Sequence, residues 1–147
     1  MSNTQGRWVP EGPPSALDLL TATTLTVPDA QNVNSAFTVS LSFTGNPGNS
    51  TWLLMQAGLG SMAKVQFIAE PVGPGAVVDV SLGPVASTAI TTGFGNSYTI
   101  NLNVPAATLT AGIYEISAVL TFFNAAGSTQ ILSTAAFAGD AFIQIYT

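Results

Sequence analysis

Residues 36–44 read AFTVSLSFT. Phe37, Val39, Leu41 and Phe43 fall on one side of an extended chain, and Thr38, Ser40, Ser42 and Thr44 on the other. A period of two predicts a strand with one face buried and one face wet. The rhythm recurs at Ser97–Val104, where Tyr98, Ile100, Leu102 and Val104 face in and Thr99, Asn101 and Asn103 face out. It recurs over the longest stretch, Ile113–Phe123, with Tyr114, Ile116, Ala118, Leu120 and Phe122 on one side.

Shorter strands are expected on either side of these. Leu25 and Val27 alternate with Thr24 and Thr26 until Pro28, and Val65 and Phe67 alternate with Gln66 and Ile68. Val78, Val80 and Leu82 share a face, and Phe142–Tyr146 closes the chain. Trp52–Ala57 is predicted as another strand, broken by Gly58 and Gly60, and Thr129–Leu132 as a short one. Residues 28–35, PDAQNVNS, are turn chemistry, and 45–50, GNPGNS, and 70–76, EPVGPGA, are loops. Residues 86–96 read as a loop or an edge segment, and 124–128 as a turn. Helical periodicity is absent apart from one turn at Ser15–Leu20, with Ser15 as cap and Asp18 three residues on. Seven to nine short strands between Gly, Pro and Asn loops define an all-β chain folded as a single antiparallel β-sandwich.

Leu109-Thr110-Ala111-Gly112-Ile113-Tyr114 opens the longest strand. This L-x-x-G-x-Y segment resembles bacterial immunoglobulin-like domains. The resemblance implies that the Tyr114 hydroxyl closes a corner before a late strand. It also implies that Trp52, on an early central strand, is a core residue, and that the sandwich is immunoglobulin-like, with jelly-roll-like as the other arrangement. The disulfide pair of antibody domains is missing, since there is no Cys. Such a fold hosts many unrelated roles, so function must be argued from other features.

At 147 residues the chain predicts one domain, large enough to fold without staples. Residues 1–14, MSNTQGRWVPEGPP, read as an extended arm, and 15–147 as the sandwich. Pro10, Pro13 and Pro14 keep the arm from joining a central ladder. Apart from Met1, Trp8 and Val9 are its only large apolar side chains, so it docks along its own domain or crosses to a neighbour. Charged residues make up 6% of the chain, against about 25% in a typical soluble domain. Charge is what keeps monomers soluble and sheet edges apart, so its absence suits a surface covered by other copies.

The same composition excludes several functions. Two basic residues, Arg7 and Lys64, and a net charge of -5 disfavour nucleic acid and anionic membranes. With no His and no Cys, thiolate or imidazole metal sites and Cys or His catalysis are absent. Glu70 and Asp79 flank one loop, but two solvated acids are the simpler reading than a glycosidase pair. Lys64 sits in a strand with no catalytic motif around it, and Gly58, Gly60 and Lys64 do not form a phosphate-binding loop. Asp29, Asn32 and Asn34 have oxygens for calcium, although Asx turns explain them as well. No enzyme activity, cofactor or small-molecule substrate is expected. No stretch is apolar enough for a transmembrane helix. No signal peptide is visible in residues 1–14, so the export route is open.

These readings converge on a structural subunit that binds copies of itself in a filament, tube or shell, outside the cell or at its surface. The joining candidates are Arg7, Trp8 and Val9 of the arm and Phe142, Ile143, Ile145 and Tyr146 of the terminal strand. The alternative is a secreted immunoglobulin-like module that binds a carbohydrate or protein partner.

Overall fold

The computed structural model describes residues 18–58, 60–73, 78–91, 95–132 and 136–147. The arm, and with it Arg7, Trp8 and Val9, lies outside the described residues, as does the first half of the helical turn expected at Ser15–Leu20. Leu20, the end of that turn in the sequence reading, instead opens the first strand.

Among the described residues nine strands form two sheets. The first sheet has the order β1-β3-β7, built from β1 (Leu20–Thr26), β3 (Phe37–Gly45) and β7 (Ser97–Val104). The second runs β2-β9-β8-β4-β5. Its strands are β2 (Ala30–Asn32), β9 (Ala136–Tyr146), β8 (Gly112–Asn124), β4 (Ser61–Pro71) and β5 (Val80–Ser81). A further strand, β6 (Ala86–Ile90), also pairs with β4. All pairings are antiparallel except β2 with β9. With β1, β3 and β7 on one side and β4, β8 and β9 on the other, the order is that of an immunoglobulin-like sandwich.

The period-two reading holds where it was clearest. Phe37, Val39, Leu41 and Phe43 are buried, and so are Tyr98, Ile100, Leu102 and Val104 opposite them in register. From the other sheet Tyr114, Ile116, Ala118, Leu120 and Phe122 meet them with Val65 and Phe67. Phe43 stacks on Tyr98 at 5.5 Å between ring centres and meets Phe122 edge-on at 6.0 Å. These large apolar side chains, removed from water together, dominate the stability of the fold.

The corner at Tyr114 forms as the resemblance implied. Its hydroxyl lies 3.1 Å from the Thr110 carbonyl oxygen and 3.0 Å from Thr110 Oγ1. It ties the loop after β7 to the start of β8. Tyr114→Phe keeps the ring and removes these bonds, so it should cost about 1 kcal/mol. An unchanged urea midpoint would show that the corner contributes nothing.

Four local expectations are corrected. Trp52–Ala57 is helical, with α1 spanning Ser50–Leu53 and a π-helical turn spanning Leu54–Gly58. Asn49 decides it: its side chain caps the helix by accepting from Trp52 N–H at 3.0 Å. Trp52 and Met55, three apart, both turn inward, a spacing that a short apolar run conceals. Trp52 is a core residue, but it reaches the core from a helix rather than from a strand. Residues 30–32, read as turn, form β2. Of the strand expected around Val78, Val80 and Leu82, the described residues form only the two-residue β5, and Val78 is exposed. Thr129–Leu132 contributes a single bridge, Phe123 to Gln130. Among the described residues no helix is long and apolar enough to cross a membrane.

Candidate subunit-contact surfaces

The terminal strand is split by its own alternation. Ile143 and Ile145 are 1% and 4% exposed and belong to the core, whereas Phe142 and Tyr146 are 42% and 47% exposed. Of the four terminal-strand candidates, Phe142 and Tyr146 therefore face outward, on the same side as exposed Gln144. Ile113 of β8 is exposed on the same face, directly opposite Gln144. β9 is also not a bare edge along its whole length. β2 covers Gln144, Ile145 and Tyr146, and the ends are tied by Gln144 N–H to Asp29 O (2.9 Å) and Val33 N–H to Tyr146 O (2.8 Å). Farther back, the register slips between Ile116 and Ala118, and Asp140 takes a left-handed φ of 60°. A bulge carrying an acid is a common guard against unwanted strand pairing.

The first sheet carries no such acid, and its register shift lies at the start of β1, between Leu20 and Ala22. β1 and β7 are its edges, and among the described residues each has β3 as its only ladder partner. β1 reads LTATTLT and β7 reads SYTINLNV, so neither contains a charge, a Pro or a Gly. β7 follows β3 over eight consecutive pairs without a slip. The outer face of this sheet is a grid of hydroxyls and amides. Thr24, Ser42 and Thr99 form one row, and Thr26, Ser40 and Asn101 the next. Ser42 Oγ lies 2.9 Å from Thr99 Oγ1, and Thr44 Oγ1 3.1 Å from Ser97 Oγ.

Charge on the second sheet gathers at one place. Glu70 of β4 stands directly opposite Glu115 of β8. One register step beyond the Ala69–Val80 pair brings Asp79 toward the other side of Glu70. Glu70 and Asp79, for which two solvated acids are the simpler reading, thus gain a third acid nearby that strand spacing alone does not reveal. Like charges directly opposite across strands are destabilising. Glu70→Gln should raise stability by about 0.5 kcal/mol, on the scale of such cross-strand pairs. A lower denaturation midpoint for this variant would refute the repulsion. Lys64 is drawn away from these acids. Its Nζ donates to Gly127 O at 2.6 Å and lies 4.4 Å from the centre of the Phe123 ring.

In the loop considered for calcium, Asn32 Oδ1 accepts from Asn34 N–H at 2.8 Å, the Asx turn weighed against a cation. Asn32 itself is held in β2. Among the described residues no cluster of three or more His, Cys, Asp or Glu is placed to hold a metal.

One concavity is large. It lies at the end of the sandwich where α1 and the π-helical turn meet the connection after β8, and holds about 530 Å³. Leu54, Met55, Ala125, Ala126, Ile131 and Leu132 supply its apolar wall. Met55 is buried, while Leu54 is 58% exposed and Ile131 is exposed too. The sequence signal for this site was the apolar run after Trp52, which was assigned to a strand and so had no wall to form.

The molecule is thus a two-sheet β-sandwich with uncharged edges, an outward aromatic pair and one apolar cleft. No protein-family model matches the sequence, and no curated protein matches it significantly. Among solved structures it is similar to the superoxide reductase (neelaredoxin) from Ignicoccus hospitalis. The two share 13% identity with a TM-score of 0.46, over 86% of this chain and 82% of that one. A variant of that protein gives 15% identity and 0.48, over 84% and 79%. It is also similar to AggA, the major subunit of aggregative adherence fimbriae type I from Escherichia coli. That likeness has 14% identity and a TM-score of 0.45, over 86% of this chain and 92% of that one. At these values the likenesses carry no argument, and the architecture rests on the strand pairing itself.

Proposed function

We propose that this chain is a structural, non-catalytic subunit that assembles with copies of itself into a filament, tube or shell outside the cell or at its surface. The joints are the N-terminal arm of residues 1–14 and the open strand edges. The observation that carries this reading is the pair of uncharged edge strands, β1 and β7. An edge strand presents unpaired N–H and C=O groups, and a monomer ordinarily blunts it with Lys, Pro or a bulge. β7 has none of these over eight residues. A chain with 6% charged residues has little else to prevent pairing with a neighbour. A head-to-tail contact of this kind propagates into rings or open helices.

Negative-stain electron microscopy beside size-exclusion chromatography tests the reading. Regular filaments, tubes or shells are the expected result. A stable monomer of 15.0 kDa at high concentration would overturn it and favour a ligand-binding module.

A further inference from the structure

We infer that the apolar cleft between the π-helical turn and the connection after β8 is the acceptor for Trp8 and Val9 from the arm of a second copy. This deepens the assembly reading and rests on it. The cleft is of ligand-binding size, about 530 Å³, and is walled by Leu54, Met55, Ala125, Ala126, Ile131 and Leu132 with no charged group. The arm matches that chemistry. Within residues 1–14, Trp8 and Val9 are the only large apolar side chains besides Met1.

The arm is long enough to reach a neighbour's cleft. The arm's root is fixed beside Asn46, whose Nδ2 donates to Asp18 O at 2.8 Å and whose N–H donates to Leu19 O at 2.9 Å. Thr51, on the rim of the cleft, is five residues from Asn46. Five residues span at most about 18 Å. Trp8 is ten residues from Asp18, in a stretch with Pro10, Pro13 and Pro14. At the polyproline rise of ~3.1 Å per residue, those ten residues extend about 31 Å. An extended arm is therefore long enough to carry Trp8 beyond its own subunit to the cleft of an adjoining copy, the occupant that the assembly reading requires.

The chain has no cysteine, so paired cysteines report the contact cleanly. Val9→Cys combined with Leu54→Cys, oxidised and run on a non-reducing gel, is expected to give a ladder of linked copies. The yield should exceed at least tenfold that of the control pair Val9→Cys with Thr38→Cys, Thr38 being exposed at the far end of β3. If Leu54→Cys fails to fold, Ile131→Cys replaces it on the opposite wall. Only intrachain disulfide, or no more linkage than the control, overturns the inference. Microscopy of the parent chain separates the two failures. Assemblies without cleft linkage would remove this contact alone, and no assemblies would remove the reading beneath it.

Discussion

Gly45→Ala is expected to lower the stability of this protein by about 3 kcal/mol, at the upper end for an added methyl in a packed core. Gly45 ends β3, and a Cβ built on it would lie inside the indole ring of Trp52. Neither partner has room to move. Gly45 N–H donates to Asn96 O at 2.8 Å, and Trp52 Nε1 donates to the Asn96 side-chain oxygen at 2.9 Å. One asparagine thus fixes the strand end and the indole together. Trp52 also meets Tyr98 and Phe122 edge-on, at 6.0 and 6.4 Å between ring centres. At roughly 4 °C per kcal/mol for a chain of this size, the melting temperature should fall by about 12 °C. Because Trp52 anchors α1 and the π-helical turn follows it, the cleft should loosen with it. Thermal unfolding monitored by tryptophan fluorescence checks this. A loss below 1 kcal/mol would mean that the indole does not sit against Gly45.

Removing residues 1–14 should have the opposite profile, with assembly lost and the folded domain intact. Among the described residues the buried core runs from Leu20 to Ile145 and the two sheets pair within those bounds, so the truncated chain is expected to fold. Burying a Trp and a Val at a joint contributes about 4 kcal/mol, by the transfer value of large apolar side chains. That corresponds to roughly a thousandfold in the association constant at each joint. The truncated chain should therefore remain dispersed at concentrations where the parent assembles, with its urea midpoint nearly unchanged. Intact assemblies from the truncated chain would remove the arm from the mechanism and leave the β1 and β7 edges as the joint.

Legibility followed the range of the interactions involved. Residues 37–43, 98–104 and 114–122 could be assigned to strands, with the correct side inward, from alternation alone. Each such position reports its own burial, and a slip of one residue would place every apolar side chain in water. Tyr114 was legible for a related reason, since its corner closes on Thr110, four residues away. The segment after Trp52 was not. Its apolar run is too short for its period to show, and the cap at Asn49 was masked by a Gly, Pro and Asn loop. β2 could not be read either. Three residues rich in turn formers become a strand only because β9 passes beside them.

The candidate surfaces divide in the same way. Composition alone determined that the chain is poor in charge, lacks the groups for imidazole or thiol chemistry, and carries a Trp on a Pro-rich arm. Alternation alone determined that it is an all-β sandwich and which side chains fill it. Only the tertiary structure decided that β1 and β7 are edges, that Ile143 and Ile145 are buried while Phe142 and Tyr146 are not, and that Glu70 faces Glu115. It also decided that a helix rather than a strand walls the cleft. Burial is a property of each residue and its near neighbours in sequence. An edge, a cross-strand neighbour and a cleft exist only once segments far apart in the chain have been brought together.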